Sequence, residues 1–283
     1  MTPLEPVVGR YLTLELDGLA HRVYFEEAGR GIPLLCQHTA GAHGAQWRHL
    51  LAAEEVTRDF RVIAYDLPYH GKSLPPEGKT WWAEEYRLTK AFLMQVPLAL
   101  ARALELERPV YLGSSIGGHL ALDLAANHPE SFRAVIGLEA AASTPGGWDD
   151  IFNHPRVSNA FKASLMYGLT SPTAPERYRR ETEWVYSQGA PPVFKGDLYY
   201  YSVDHQMTRE QLGAIDTRRC RVHLLTGEYD FTTPLDMARD VAAAIPGAEW
   251  APMTGLGHFP MCEDPARFLA VIRPVLEKIR AQG

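Results

Sequence analysis

A serine, Ser115, stands in the run Gly113-Ser-Ser-Ile-Gly-Gly118, after the apolar residues 109–112 and before the helical-looking residues 119–128. Its type and setting could support nucleophilic attack. A G-x-S-x-G pattern between a strand and a helix makes a turn tight enough to push one side chain out at the end of a sheet. A serine also needs a base. His258, in the glycine-rich loop Gly255-Leu-Gly-His258-Phe-Pro260, can bring an imidazole back to that sheet edge. Asp230, in Gly227-Glu-Tyr-Asp230-Phe-Thr-Thr-Pro234, lies past a strand and ahead of a helix. A carboxylate there can take the other imidazole N–H and fix the tautomer. Plainer readings exist, a packing turn for Ser115 and a helix N-cap for Asp230. The strand–turn–helix context and the turn residues around Asp230 favour the chemical ones.

Glu139 is a rival acid, since it directly follows the apolar run 134–138 and so also sits at a strand end. The turn-rich loop of Asp230 makes it the better choice, with Glu139 as an alternative. A tetrahedral intermediate would need N–H donors. Ile116, just after the serine, supplies one, and Ala40 in His38-Thr-Ala-Gly41 supplies the other. The His38 side chain itself reads as a structural group orienting that loop. Ser114, Trp148, Trp184, Tyr200 and Phe259 are candidate pocket residues. The loop Asp66-Leu-Pro-Tyr-His-Gly-Lys-Ser73 reads as turn chemistry, with His70 a structural hydrogen-bonder. No phosphate-cradling glycine loop or metal-ligand spacing appears, so neither a cofactor nor a metal is expected.

These residues must be carried by a sheet. Alternating patterns at 11–16 and 22–27, joined by Asp17-Gly18, predict an antiparallel hairpin. Short apolar runs then follow at 33–37, 61–65, 109–112, 134–138, 222–226 and 248–253. Helices are expected at 46–56, 82–106 (kinked or split at Pro97), 117–127, 235–245 and 265–280. Runs apolar on both faces, separated by amphipathic helices, indicate a parallel sheet covered on both sides. The alternation fails between 140 and 217, where eleven aromatic residues fall among scattered prolines and short helical patches. That stretch reads as a helical cap over the strand ends, with residues 1–139 and 218–283 forming the core.

With 46% hydrophobic and 22% charged residues, the 283-residue chain has the composition of a globular α/β protein. A net charge of −6 argues against a nucleic-acid partner. No apolar run reaches the roughly 20 residues of a membrane span. No signal peptide is read at the N-terminus. Three widely spaced cysteines fit a cytoplasmic location without disulfides. The expected partner is a small-molecule substrate, with the chain acting as a monomer or homo-oligomer.

Taken together, Gly-Ser-Ser115-Ile-Gly, His38-Thr-Ala-Gly, the 66–73 loop, Asp230 and Gly-His258 resemble the α/β-hydrolase family over essentially the whole chain. The resemblance implies a mostly parallel eight-stranded sheet with helices on both faces and an inserted cap. It also implies a cofactor-independent serine hydrolase. Most relatives read His-Gly where this chain has His38-Thr39. Haloalkane dehalogenases and epoxide hydrolases use an aspartate nucleophile, which Ser115 argues against. Carbon–carbon bond hydrolases of ring-cleavage products often carry Asn and Trp where this chain has Ser114 and Phe259. The Ser115-to-Glu139 separation resembles that of zearalenone lactonases. An ester or lactone of a small apolar or aromatic molecule is the expected substrate. Carbon–carbon hydrolysis and a slow-turnover receptor remain alternatives.

Overall fold

The chain opens as its alternation demands. Strands β1 (Val8–Leu16) and β2 (Leu19–Gly29) pair antiparallel, and Asp17 and Gly18 both take positive φ (50° and 73°) in the two-residue turn. The computed structural model describes residues 4–282. The remaining strands are β3 (Ile32–Gln37), β4 (Phe60–Tyr65), β5 (Val110–Ser114), β6 (Ala134–Leu138), β7 (Arg221–Gly227) and β8 (Glu249–Met253). They join the hairpin in one sheet of order β1-β2-β4-β3-β5-β6-β7-β8. β2 alone runs opposite to the other seven strands. Every residue of β5 and β6 is buried, as continuous apolar runs in a sheet covered on both faces require. Strand β8 is half exposed and carries Pro252, which an edge strand tolerates.

The order of strands places the chemistry. From β3 the chain goes outward to β4 on one side, then returns to β5 on the other. Right-handed crossovers on the two sides put their helices on opposite faces. A crevice opens where they part, outside the strand C-terminal ends. The loop after Gln37 and the turn after Ser114 both leave the sheet there, since Gln37 pairs with Gly113.

Two helices differ from the pattern. The expected 46–56 helix is broken into short turns, Gly44–Trp47, Arg48–Leu51 and Glu54–Thr57, because Ala53 is extended between the last two. The expected 82–106 helix begins only at Lys90, where the Thr89 hydroxyl accepts from Phe92 N–H, and ends at Ala103. It is not split at Pro97. The ring is buried, and the helix forgoes one internal hydrogen bond there.

Between β6 and β7 the chain leaves the sheet and forms three main helices, Ala160–Gly168, Glu176–Ser187 and Pro191–Tyr199. A wide π-type turn, Tyr200–Asp204, and a capping-box helix, Arg209–Gly213, return it to the sheet. Among the described residues no helix is long and apolar enough to cross a membrane. All three cysteines are buried and free.

Candidate active site

Small residues in the 113–118 run are required by close packing. A Cβ on Gly118 would lie 2.0 Å from the Leu138 carbonyl oxygen, and one on Gly113 would lie 2.3 Å from that of Gly117. The helix Ile116–Asn127 can therefore sit directly on β5 and β6. Ser115 makes the corner between them, at φ 56° and ψ −112°, a region few side chains adopt. Its N–H is held by the Leu138 carbonyl at 3.0 Å. Its hydroxyl makes no capping bond to the helix, so the oxygen is free to face outward.

That oxygen meets an imidazole. His258 Nε2 lies 3.1 Å from Ser115 Oγ, and His258 Nδ1 lies 2.9 Å from Asp230 Oδ2. The three side chains come from positions 115, 230 and 258 to one line of hydrogen bonds at the crevice. Asp230 Oδ1 accepts from the backbone N–H groups of Thr232 and Thr233 and from the Thr232 hydroxyl. Burial alone would raise the Asp230 carboxyl. The His258 charge and hydrogen bond, with further hydrogen bonds from Glu139 and Thr232, bring it down to about 2. Asp230 therefore stays ionised, and the imidazole is held as an Nδ1–H donor to it.

Glu139 does not reach His258. It is fully buried behind Asp230, at φ 55°, and both its oxygens accept from Gly227 N–H. Burial, then the negative charge of Asp230, holds it well above the usual carboxylate range. It is a neutral acid whose proton can be donated to Asp230.

Ala40 lines the crevice and Ile116 directly follows Ser115 in the chain, and neither N–H donates to a protein acceptor among the described residues. Ile116 is the first residue of its helix, where N–H groups have no intrahelical partner and the helix dipole is positive. The His38 side chain takes the orienting place: Nδ1 donates to the Thr39 carbonyl at 2.8 Å, and Nε2 accepts from Leu67 N–H at 3.1 Å. Thr39 N–H donates to Gln46 Oε1, and its hydroxyl bonds the Tyr186 hydroxyl.

Ser115, His258 and Ala40 open on a cavity of about 320 Å³ beneath the 140–217 insert. Its walls are Phe152, Leu165, Met166, Leu169, Tyr186, Phe194 and Leu198, with Phe231 at the rim, 83% exposed. Thr144, Tyr201 and Thr232 add hydroxyls. Among the described residues no Lys, Arg, Asp or Glu lines it.

The five pocket residues expected from sequence are placed elsewhere. Trp184 is 65% exposed and faces a separate cleft with Tyr24 and Asp66. Its helix presents Tyr186 to the cavity instead, because two residues along a helix turn through about 200°. Trp148 meets Tyr199 edge to face, under Arg87 and Lys195. Tyr200 is fully buried, donating to Asp123 at 2.6 Å, and its neighbour Tyr201 is the one lining the cavity. Phe259 packs behind His258 and against Tyr186. Ser114 is enclosed at the end of β5, its hydroxyl without a partner.

Sequence reasoning also missed Thr232 and His119. Thr232 Oγ1 lies 2.8 Å from His258 Nδ1, and its position two residues after Asp230 was the available signal. His119 donates from Nδ1 to the Ser115 carbonyl and accepts at Nε2 from Thr144. Burial, then the charge of nearby His205, lowers it to about 3, so it stays neutral and braces the turn.

A family model described as the alpha/beta hydrolase fold matches residues 32–265. The chain belongs to the α/β hydrolase fold family. This α/β hydrolase is 25% identical over 281 residues to a pimeloyl-[acyl-carrier protein] methyl ester esterase of Vibrio atlanticus, covering 92% of this chain and all of that one. It is 24% identical to a 2-hydroxymuconate semialdehyde hydrolase of Pseudomonas sp. strain CF600, covering 98% and 96%. A thermophilic esterase from Thermogutta terrifontis superposes with a TM-score of 0.81 at 20% identity, covering 95% and 99%. The protein is an enzyme of the hydrolase class.

Proposed function

We propose that this α/β hydrolase cleaves an ester or lactone of a small, uncharged, mainly apolar molecule through an acyl-enzyme. The observation that carries this reading is His258 hydrogen-bonded on one side to Ser115 Oγ and on the other to Asp230. His258 Nε2 takes the hydroxyl proton as Ser115 Oγ bonds to the carbonyl carbon. Asp230 holds the resulting imidazolium, and the N–H groups of Ala40 and Ile116 stabilise the oxyanion. The tetrahedral intermediate collapses, the carbon–oxygen bond of the leaving group breaks, and His258 returns the proton to that oxygen. Water, deprotonated by His258, then cleaves the acyl-enzyme. Residues 140–217 act as the cap that roofs the cavity.

The lining favours this over carbon–carbon hydrolysis of ring-cleavage acids. Such acids bring a carboxylate, and an unpaired buried charge is costly. The cavity offers that carboxylate no cation.

A fluorophosphonate probe and a panel of p-nitrophenyl esters test the proposal. The wild type is expected to label and to turn over repeatedly. Ser115→Ala should fold normally, fail to label and lose about 10⁴-fold in kcat or more. A single stalled turnover in the wild type would favour a receptor, and a tenth of wild-type activity in Ser115→Ala would falsify the nucleophile.

A further inference from the structure

Ala40 sits between two residues that the insert holds in place. On one side the Thr39 hydroxyl bonds the Tyr186 hydroxyl. On the other, Gly41 N–H donates to Asp197 Oδ2 at 2.6 Å. The Gly41 carbonyl packs against Gly189, where an added Cβ would stand 2.3 Å from its oxygen. Gly41 itself has φ +63° and no room for a Cβ, which would lie 2.4 Å from the Phe194 ring. Three of these four partners, Tyr186, Asp197 and Phe194, are side chains of two insert helices, Glu176–Ser187 and Pro191–Tyr199.

Asp197 is an expensive residue to keep where it is. It is fully buried, and an isolated carboxylate at such a place is strongly destabilising. Its compensation is His70, whose Nε2 lies 2.7 Å from the same Oδ2. His70 Nδ1 lies 2.9 Å from the Pro68 carbonyl oxygen. The Pro68 carbonyl can only accept, so Nδ1 donates; burial would lower His70, but the Asp197 charge and hydrogen bond raise it. The pair thus leaves a formal carboxylate aimed at one backbone amide of the oxyanion loop. A charged acceptor makes the shorter and stronger hydrogen bond.

We propose that Asp197 is a positioning residue for the oxyanion hole. Acting through Gly41, with the Tyr186–Thr39 contact on the other side, it fixes the direction of the Ala40 N–H. The hole is then complete only when the cap is seated. Thr39 supplies the second tether. This inference rests on the hydrolase reading above.

The test separates transition-state from ground-state binding in Asp197→Ala, Asp197→Asn and Tyr186→Phe. A trifluoromethyl ketone matched to the best ester substrate forms a hemiketal with Ser115 and places an oxyanion in the hole. The isosteric ether cannot be attacked and reports only cavity binding. Asp197→Ala is expected to lower kcat by about 10- to 100-fold and to weaken the ketone by the same factor, below the full loss of an oxyanion donor. KM and ether binding should stay within about twofold, because the cavity walls are untouched. Asp197→Asn keeps an oxygen for Gly41 N–H and should recover most of kcat. Tyr186→Phe keeps the ring that walls the cavity and removes only the hydroxyl bonded to Thr39, so it should show the same split, about 3- to 10-fold, on losing one neutral hydrogen bond. Equal weakening of ketone and ether, or a lowered Tm with unchanged kcat, would mean that these contacts only dock the cap and would overturn the proposal. If Asp197 variants do not fold, Tyr186→Phe decides alone, an unchanged kcat and ketone affinity counting against it. A wild type that neither turns over esters nor binds the ketone would instead take down the hydrolase reading, and this inference with it.

Discussion

Asp230 and Glu139 stand side by side, and their environments assign them opposite charge states. Asp230 receives His258 and three donors from Thr232 and Thr233, which keep it ionised. Glu139 is enclosed and faces that charge, which keeps it protonated. Asp230→Asn is therefore expected to cost about 10³- to 10⁴-fold in kcat, by leaving His258 in the wrong tautomer. Glu139→Gln keeps both a donor toward Asp230 and an acceptor for Gly227, and should cost less than about tenfold. Steady-state kinetics on both variants check this, and the reverse ranking would transfer the acid's role to Glu139. Acid stability follows from the same pair. The folded Asp230 carboxyl, at about 2, lies below the roughly 3.9 of an unfolded chain. Its contribution is whole above about pH 4 and is lost as pH falls through 2. Urea titrations from pH 5 to pH 2 should show a shallower loss of stability in Asp230→Asn than in the wild type.

At the scale of elements, the turn at Ser115 is possible because glycines let the start of the helix Ile116–Asn127 come directly against the sheet backbone. Gly118 is the closest contact, against the Leu138 carbonyl of β6. Gly118→Ala should push the helix outward and destabilise the fold by about 1–3 kcal/mol, the usual cost of overpacking. The same shift moves Ser115 Oγ and the Ile116 N–H together, so kcat should fall further than the stability loss alone explains. Denaturant melts together with rates measured well below the melting temperature separate the two effects. Intact kcat in a destabilised variant would show that the helix position is not what sets the serine.

The proposed selectivity belongs to the whole molecule. The parallel strands deliver the reacting groups to the crevice, and the insert closes an apolar chamber over them. Lys162, a buried cation on the insert helices, is committed to the Gly189 carbonyl at 2.7 Å, and burial lowers it to about 8. A neutral acyl ester should accordingly exceed its ω-carboxylate analogue in kcat/KM by about 10²-fold or more, the scale set by burying an unpaired charge. Paired p-nitrophenyl esters of equal chain length provide the measurement. Equal rates for the two would mean that the acyl group does not enter this cavity.

The sequence by itself determined the sheet and the turns that carry the three side chains proposed to react. Period-two and continuous apolar runs are local signals, and strand β6 matches its run at both ends. Ser115, Asp230 and His258 each sit in a turn whose glycines and threonines mark it locally. The broken 46–56 segment was less legible, since nothing in the residue type of Ala53 marks its extended conformation. Tertiary structure alone decided which face of each insert helix looks inward. Trp184 and Tyr186 are equally aromatic and two positions apart, and only the seating of their helix on the core turns one to solvent and the other to the cavity. It also decided the partners of Asp197 and Glu139. A buried carboxylate takes its charge from what surrounds it, and His70 and Asp230 reach these two from 127 and 91 positions away in the chain.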